Sequence, residues 1–169
     1  MRKVAFLSVV VVLLVALSPV NVLGDAGYRI VAGQNLIVGH VFVSNDDTNL
    51  YITFDMKYAL GFCLNETNLH VADTWDQIPQ NNGNPTPGQF DYKGEHDCVD
   101  TVSYTVPLDA LDANSDGQLT IAAHAVVGNW NTNQWPGYSE TGWAAVCGNI
   151  NNNQFPGASW AVYAPYTVK

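Results

Sequence analysis

Apolar residues in this chain recur at every second position in short runs bounded by Gly, Pro, Asn or Asp, with no helical period over any useful length. That period predicts strands with one buried face. Leu50, Ile52, Phe54 and Met56 alternate with polar partners after the turn signal Ser44-Asn45-Asp46-Asp47, and Leu36 to Val43 precedes it, so the two runs predict a hairpin. In Thr101 to Val106, Val102, Tyr104 and Val106 alternate with Thr101, Ser103 and Thr105, giving one buried and one wet face. Further strands are expected at 68–71, 119–127, 142–146 and 160–167. At least seven short strands with no intervening helix predict an all-β domain, an antiparallel β-sandwich of jelly-roll or Ig-like kind, with a closed barrel as the second choice. Two long loops interrupt the rhythm, Asp73 to Val99 and Gly128 to Tyr138. Loops of that length tend to carry function.

The N-terminus breaks the pattern. Arg2 and Lys3 precede an apolar run from Val4 to Leu17, then Ser18, Pro19 and small residues near Gly24. This layout predicts a secretory signal peptide over residues 1–24 and one domain over 25–169. A membrane-spanning helix needs about 20 consecutive apolar residues, and Ser18, Pro19 and Asn21 come too early for one. The expected location is therefore secreted, extracellular or at the cell surface.

Charge narrows the partners. All 15 acidic residues but only four of the six basic ones follow residue 24, a balance of −11 with His neutral. Arg29, Lys57, Lys93 and Lys169 are too scattered to grip nucleic acid or an anionic membrane. Cys63, Cys98 and Cys147 allow three pairings, and export places them where disulfides persist. Cys63–Cys98 is favoured because it would clamp the base of the long loop between them. Asn65-Glu66-Thr67 is an N-glycosylation acceptor in a host with that machinery.

Several segments together resemble a functionally obscure extracellular domain of secreted and cell-surface proteins of bacteria and archaea. They are Ala32-Gly33-Gln34, Val38-Gly39 with Val41, Pro87-Gly88-Gln89-Phe90, Tyr92-Lys93, Tyr104 to Leu108, Ile121 to Val127 with His124, Glu140-Thr141-Gly142-Trp143, Trp160-Ala161, Tyr163 and Tyr166-Thr167. The resemblance spans nearly the whole mature chain and implies an extracellular β-sandwich with no assigned reaction. This chain departs from the pattern by a longer insertion before Pro87 and by Asn68 where His is common. A role for that His does not carry over.

Candidate chemistry falls in two loops. Asp112, Asn114, Asp116 and Gln118 alternate around a Gly like the first half of an EF-hand loop, and calcium is the cofactor such oxygens would hold. Position twelve is Ala123, so a complete EF-hand is excluded, and the alternative is a plain tight turn. Trp130, Trp135 and Tyr138, with Asn131 among them, suit a carbohydrate-facing loop, because rings cover apolar sugar faces while amides bond hydroxyls. The competing reading packs those rings over one end of the domain. Trp75, Trp143 and Trp160 are expected in the core. The histidines 40, 70, 96 and 124 show no metal spacing, and Glu95-His96-Asp97 would point its side chains in different directions on an extended chain. No nucleophile elbow or phosphate loop appears, so the expected protein is not an enzyme. The first functional expectation is a structural or surface protein that self-associates through sheet edges, with Tyr28 to Val38 as a strand that could be donated. The second is a calcium-assisted module for an extracellular glycan.

Overall fold

The computed structural model describes residues 26–57, 61–111, 116–130, 137–146 and 153–169. The elements are β1 (Ala26–Ala32), β2 (Leu36–Asn45), β3 (Asn49–Asp55), β4 (Phe62–Ala72), β5 (Gln80–Asn81), β6 (Asn84–Pro85), β7 (Tyr92–Val99), β8 (Thr101–Pro107), β9 (Gln118–Asn129), β10 (Ser139–Ala145) and β11 (Ala164–Thr167). The all-β, antiparallel expectation holds. Where two stacked sheets were expected, the hydrogen bonding runs through one sheet of nine strands in the order β7-β4-β9-β10-β1-β2-β3-β8, with β11 also on β9. Its end strands β7 and β8 follow each other in the chain through Asp100, so the sheet curls into a nearly closed, barrel-like body.

Alternation explains the interior. Leu50, Ile52, Phe54 and Met56 of the β3 run all point inward and are buried. On β8, Val102, Tyr104 and Val106 pack on the same core, with Thr101, Ser103 and Thr105 exposed. Two strands change parity midway. In β2 the inward residues pass from Val38 to Val41 and Val43, and the register with β1 shifts between Ile30 and Val31. In β4 they pass from Phe62 and Leu64 to Thr67, Leu69 and Val71, with a register shift between Leu64 and Glu66. A bulge inserts one unpaired residue and so keeps apolar side chains facing inward on both sides of the break.

A second core lies on the outer face of the sheet. Val31, Ala72, Ala122, Trp143 and Ala145 point outward and are covered by Ile78, Phe90, Phe155, Ala161 and Val162. The chain between Asp73 and Val99, expected as one long loop, supplies part of that cover through short 3-10 turns at Trp75–Gln77 and Pro87–Gln89, then becomes β7. The strand expected at 160–167 is confined to Ala164–Thr167, preceded by an isolated bridge from Gln154 to Val162. The strand expected at 68–71 extends back to Phe62. Tyr28 to Val38 is not a spare segment: β1 pairs with β2 on one side and β10 on the other.

Candidate functional site

Trp130 follows β9 and is 55% exposed, its backbone N–H donating to Gly61 O at 2.7 Å. Tyr138 instead leans inward and meets Phe62 edge-on, ring centroids 5.5 Å apart. Burial, and then the charge of Glu140, raise its pKa. Asn131 and Trp135 lie outside the described residues, so one exposed ring is placed from the aromatic loop. Trp75 is a correction: it stands in a surface turn, 38% exposed, because the following chain turns away toward the second core and leaves the indole at the rim. Trp143 is buried and Trp160 half-buried against that core, as expected.

In the candidate calcium loop, Asp112 and Asn114 lie outside the described residues. Asp116 Oδ1 accepts the Gln118 N–H at 2.8 Å, Gly117 adopts φ +71°, and Gln118 Oε1 accepts from Thr167 Oγ1 at 3.1 Å. These are the bonds of a tight turn into β9. Among the described residues no group of three or more His, Cys, Asp or Glu is placed to hold a metal. The described residues Asp116 and Trp130 stand beyond opposite ends of β9, which has 12 residues. At a strand rise of ~3.3 Å per residue they are roughly 35 Å apart. A cation at Asp116 is therefore too distant to touch a sugar stacked on Trp130.

Cys63 and Cys98 form the disulfide expected of them, Cα atoms 4.9 Å apart, tying the start of β4 to the end of β7. Beyond it the outer face of this strand pair carries a constellation that the sequence reading missed. After the bulge, Glu66, Asn68 and His70 alternate outward on β4, and Asp91, Lys93 and Glu95 face them from β7 and the residue before it. Glu66 is directly opposite Glu95 and Asn68 opposite Lys93, while His70 Nδ1 lies 3.3 Å from Asp91 Oδ2. Like charges directly opposite on a ladder are destabilising, so the facing of Glu66 and Glu95 does not itself stabilise the sheet. The turn above joins this platform, since Lys93 Nζ donates to Gly88 O at 2.8 Å.

A ladder of partners fixes the platform from below. Lys93, Asn68, His124, Trp143 and Val31 are successive register partners across β7, β4, β9, β10 and β1. Asn68 is 1% exposed, and its Nδ2 donates to Glu66 Oε1 at 2.8 Å and to His124 Nδ1 at 3.2 Å. Both amide hydrogens are thereby used, and an accepting Nδ1 leaves the imidazole proton on Nε2. Burial pushes the His124 pKa down to about 4, against the opposing pull of the Glu66 charge, so the ring is neutral. Burial also lowers His70, against Asp91, and its Nδ1 is not aligned for a hydrogen bond. His96, by contrast, points inward, its Nε2 at 2.8 Å from Thr67 Oγ1, so Glu95 and His96 do diverge.

Two hollows open on this region. One of about 260 Å³ is lined by Glu66, Asn68, Gly88, Lys93, Gly94 and Glu95. The other, of about 340 Å³, reaches from His70, Asp73 and Asp91 to Tyr92, Val106 and Leu111, where β7 and β8 part. No described residue lining either one is Ser, Thr or Cys. The two linings offer fixed hydrogen-bond donors and acceptors. The sequence signal that could have found it was the outward period-two array Glu66, Asn68, His70, hidden because the β4 strand was expected to begin only at Asn68. No family model matches this chain, no curated protein matches it and no solved structure matches it.

Proposed function

We propose that the chain is an exported, non-catalytic binding domain and that the outer β4–β7 face engages a hydroxyl-rich ligand, an extracellular glycan. The observation that carries this reading is the set of opposed polar residues, Glu66 with Glu95, Asn68 with Lys93 and His70 with Asp91, held on paired strands and braced by the Asn68–His124 contact. Carboxylate, amide and ammonium groups at fixed spacing match sugar hydroxyls, which both donate and accept. Export is supported by the charged-then-apolar start of the chain and is compatible with the disulfide. The resemblance to secreted and cell-surface domains supports it too, since Gly88, Lys93, His124 and Trp143 of the resembling segments border this face. In this reading the curled sheet acts as a flattened, sandwich-like body, β7-β4-β9-β10 presenting the ligand face behind β1-β2-β3-β8. Calcium at Asp112, Asn114 and Asp116 would then serve the turn before β9, which melting with calcium against chelator tests. Glycan-array binding of wild type, Glu66→Gln/Glu95→Gln and Trp130→Ala checks the main reading. Loss of binding in the double variant supports it, whereas loss in Trp130→Ala alone moves the site to the aromatic loop.

One observation favours the structural reading. β7 and β8 end the hydrogen-bonded order, and such edges can pair with another chain. Donation of Tyr28 to Val38 would have to strip β1 from two neighbours, so edge pairing is the form this reading takes. Electron microscopy at high concentration tests it; monodisperse particles alone would refute assembly.

A further inference from the structure

The larger hollow has a chemistry of its own. Val71, Val106 and Leu111 give it an apolar part, and Tyr92 adds an aromatic ring to the lining. Asp73 and Asp91 supply two carboxylates, and no described residue that lines it is Lys or Arg. The one lysine on the platform, Lys93, is bonded to Gly88 O and lines the other hollow. Inside the larger one burial lowers the His70 pKa against the pull of Asp91, and Gln77 Oε1 already accepts from the backbone of Asp73 and Thr74. Asp91 has His70 Nδ1 at 3.3 Å, and neither carboxylate beside this apolar and phenolic lining has a Lys or Arg among the described lining residues. A neutral sugar would satisfy hydrogen bonds there but leave that charge unmatched. A small inorganic cation would match the charge but waste the apolar part.

We propose that this cavity binds an organic ammonium group, a primary or quaternary amine bearing a short alkyl chain. The cation sits between Asp73 and Asp91 at the Tyr92 ring, where ring quadrupole and carboxylates attract the same charge, and the alkyl part lies on Val71, Val106 and Leu111. A volume of about 340 Å³ accommodates such a ligand and is within the range of small-molecule sites. The site shares His70 and Asp91 with the outer β4–β7 face but none of the residues lining the Glu66–Glu95 hollow, so ammonium binding here is read separately from glycan binding there.

The test is titration of the exported protein, disulfide intact, with n-butylammonium chloride and with its neutral analogue 1-butanol, followed by amide chemical shifts. Expected are saturable shifts confined to residues 70–73, 91–92 and 106–111, with butanol at least tenfold weaker. Asp73→Asn/Asp91→Asn should weaken butylammonium at least tenfold, with added salt acting in the same direction. Equal response to butanol, undiminished binding by the double variant, or shifts elsewhere would overturn the proposal. The comparison of the two probes on wild type decides the question even if the variant fails to fold.

Discussion

The Asn68 amide donates to His124 Nδ1 across 3.2 Å from directly opposite on the neighbouring strand, and this contact requires a neutral imidazole. A protonated ring would present Nδ1–H to an N–H donor. The folded His124 titrates at about 4, below the ~6.5 of an exposed His, so the unfolded chain holds more protons between those values. Stability is then complete above pH ~6.5 and falls as pH drops toward 4, by about 3 kcal/mol for this residue, levelling below that. Denaturant unfolding between pH 7 and 4 should show the slope, and His124→Gln should flatten it. A slope unchanged by the substitution would place its origin in the carboxylates.

Asn65 should carry no glycan in the folded protein. Its acceptor triplet lies within β4, paired on both sides by β7 and β9, and Thr67 is fully buried with its hydroxyl bonded to His96 Nε2 and Tyr104 OH at 2.8 and 2.6 Å. Asn65 itself lies against Gly128, where an added Cβ would meet its Nδ2 at 2.6 Å. Acceptor sites in glycoproteins are surface loops. Intact mass after expression in a glycosylating host checks this, and a hexose-bearing species at full yield would contradict the β4 placement.

The parts of the fold that were legible are those where period two runs unbroken. β3 and β8 could be read residue by residue because each keeps one parity from end to end. β4 could be read only in part, because the bulge near Asn65 switches its parity, so that 68–71 shows as a strand while Phe62 to Thr67 does not. The platform was hidden for a further reason. Lys93, Asn68 and His124 become neighbours through register between strands far apart in sequence, which local pattern does not encode. Trp75 was misjudged because a Trp beside a strand is usually buried, whereas the turn at Trp75–Gln77 carries it to the rim. Cys63–Cys98 was accessible because loop-clamping needed only one assumption, that the intervening chain folds back on its own base.

Gly39→Ala should destabilise the domain by about 1–3 kcal/mol. The bulge in β2 brings Gly39 against β3, where an added Cβ would meet Met56 Sδ and lie 2.7 Å from the backbone oxygen of Asp55. A thioether can move, but a carbonyl bonded into a sheet moves only with its strand. The Met56→Ala background gives the separation: if the cost persists there, backbone contact causes it. Unfolding midpoints in urea for the two single variants and their double measure this coupling.

Opening the Cys63–Cys98 bridge should loosen one end of the β4–β7 pair before the rest of the sheet. The bridge closes a 35-residue separation, for which the chain-entropy model gives about 4 kcal/mol, with measured values commonly 2–4. It joins β4 to β7 beside the Leu64–Val99 pair, and β7 is an end strand with β4 as its one ladder partner. β1, in contrast, is held on both sides. Hydrogen exchange in Cys63→Ala/Cys98→Ala should therefore speed up across Tyr92–Val99 while β1 to β3 keep their protection. Cys98 also sits at φ +52°, in the left-handed region that costs a side chain about 1 kcal/mol and glycine nothing. With the bridge gone, that conformation loses its cross-link but keeps its cost. Cys63→Ala/Cys98→Gly should consequently be more stable than Cys63→Ala/Cys98→Ala by up to about 1 kcal/mol, less the greater chain entropy of glycine when unfolded. If the alanine variant proves the more stable, the left-handed turn at Cys98 is imposed by the bridge and relaxes without it.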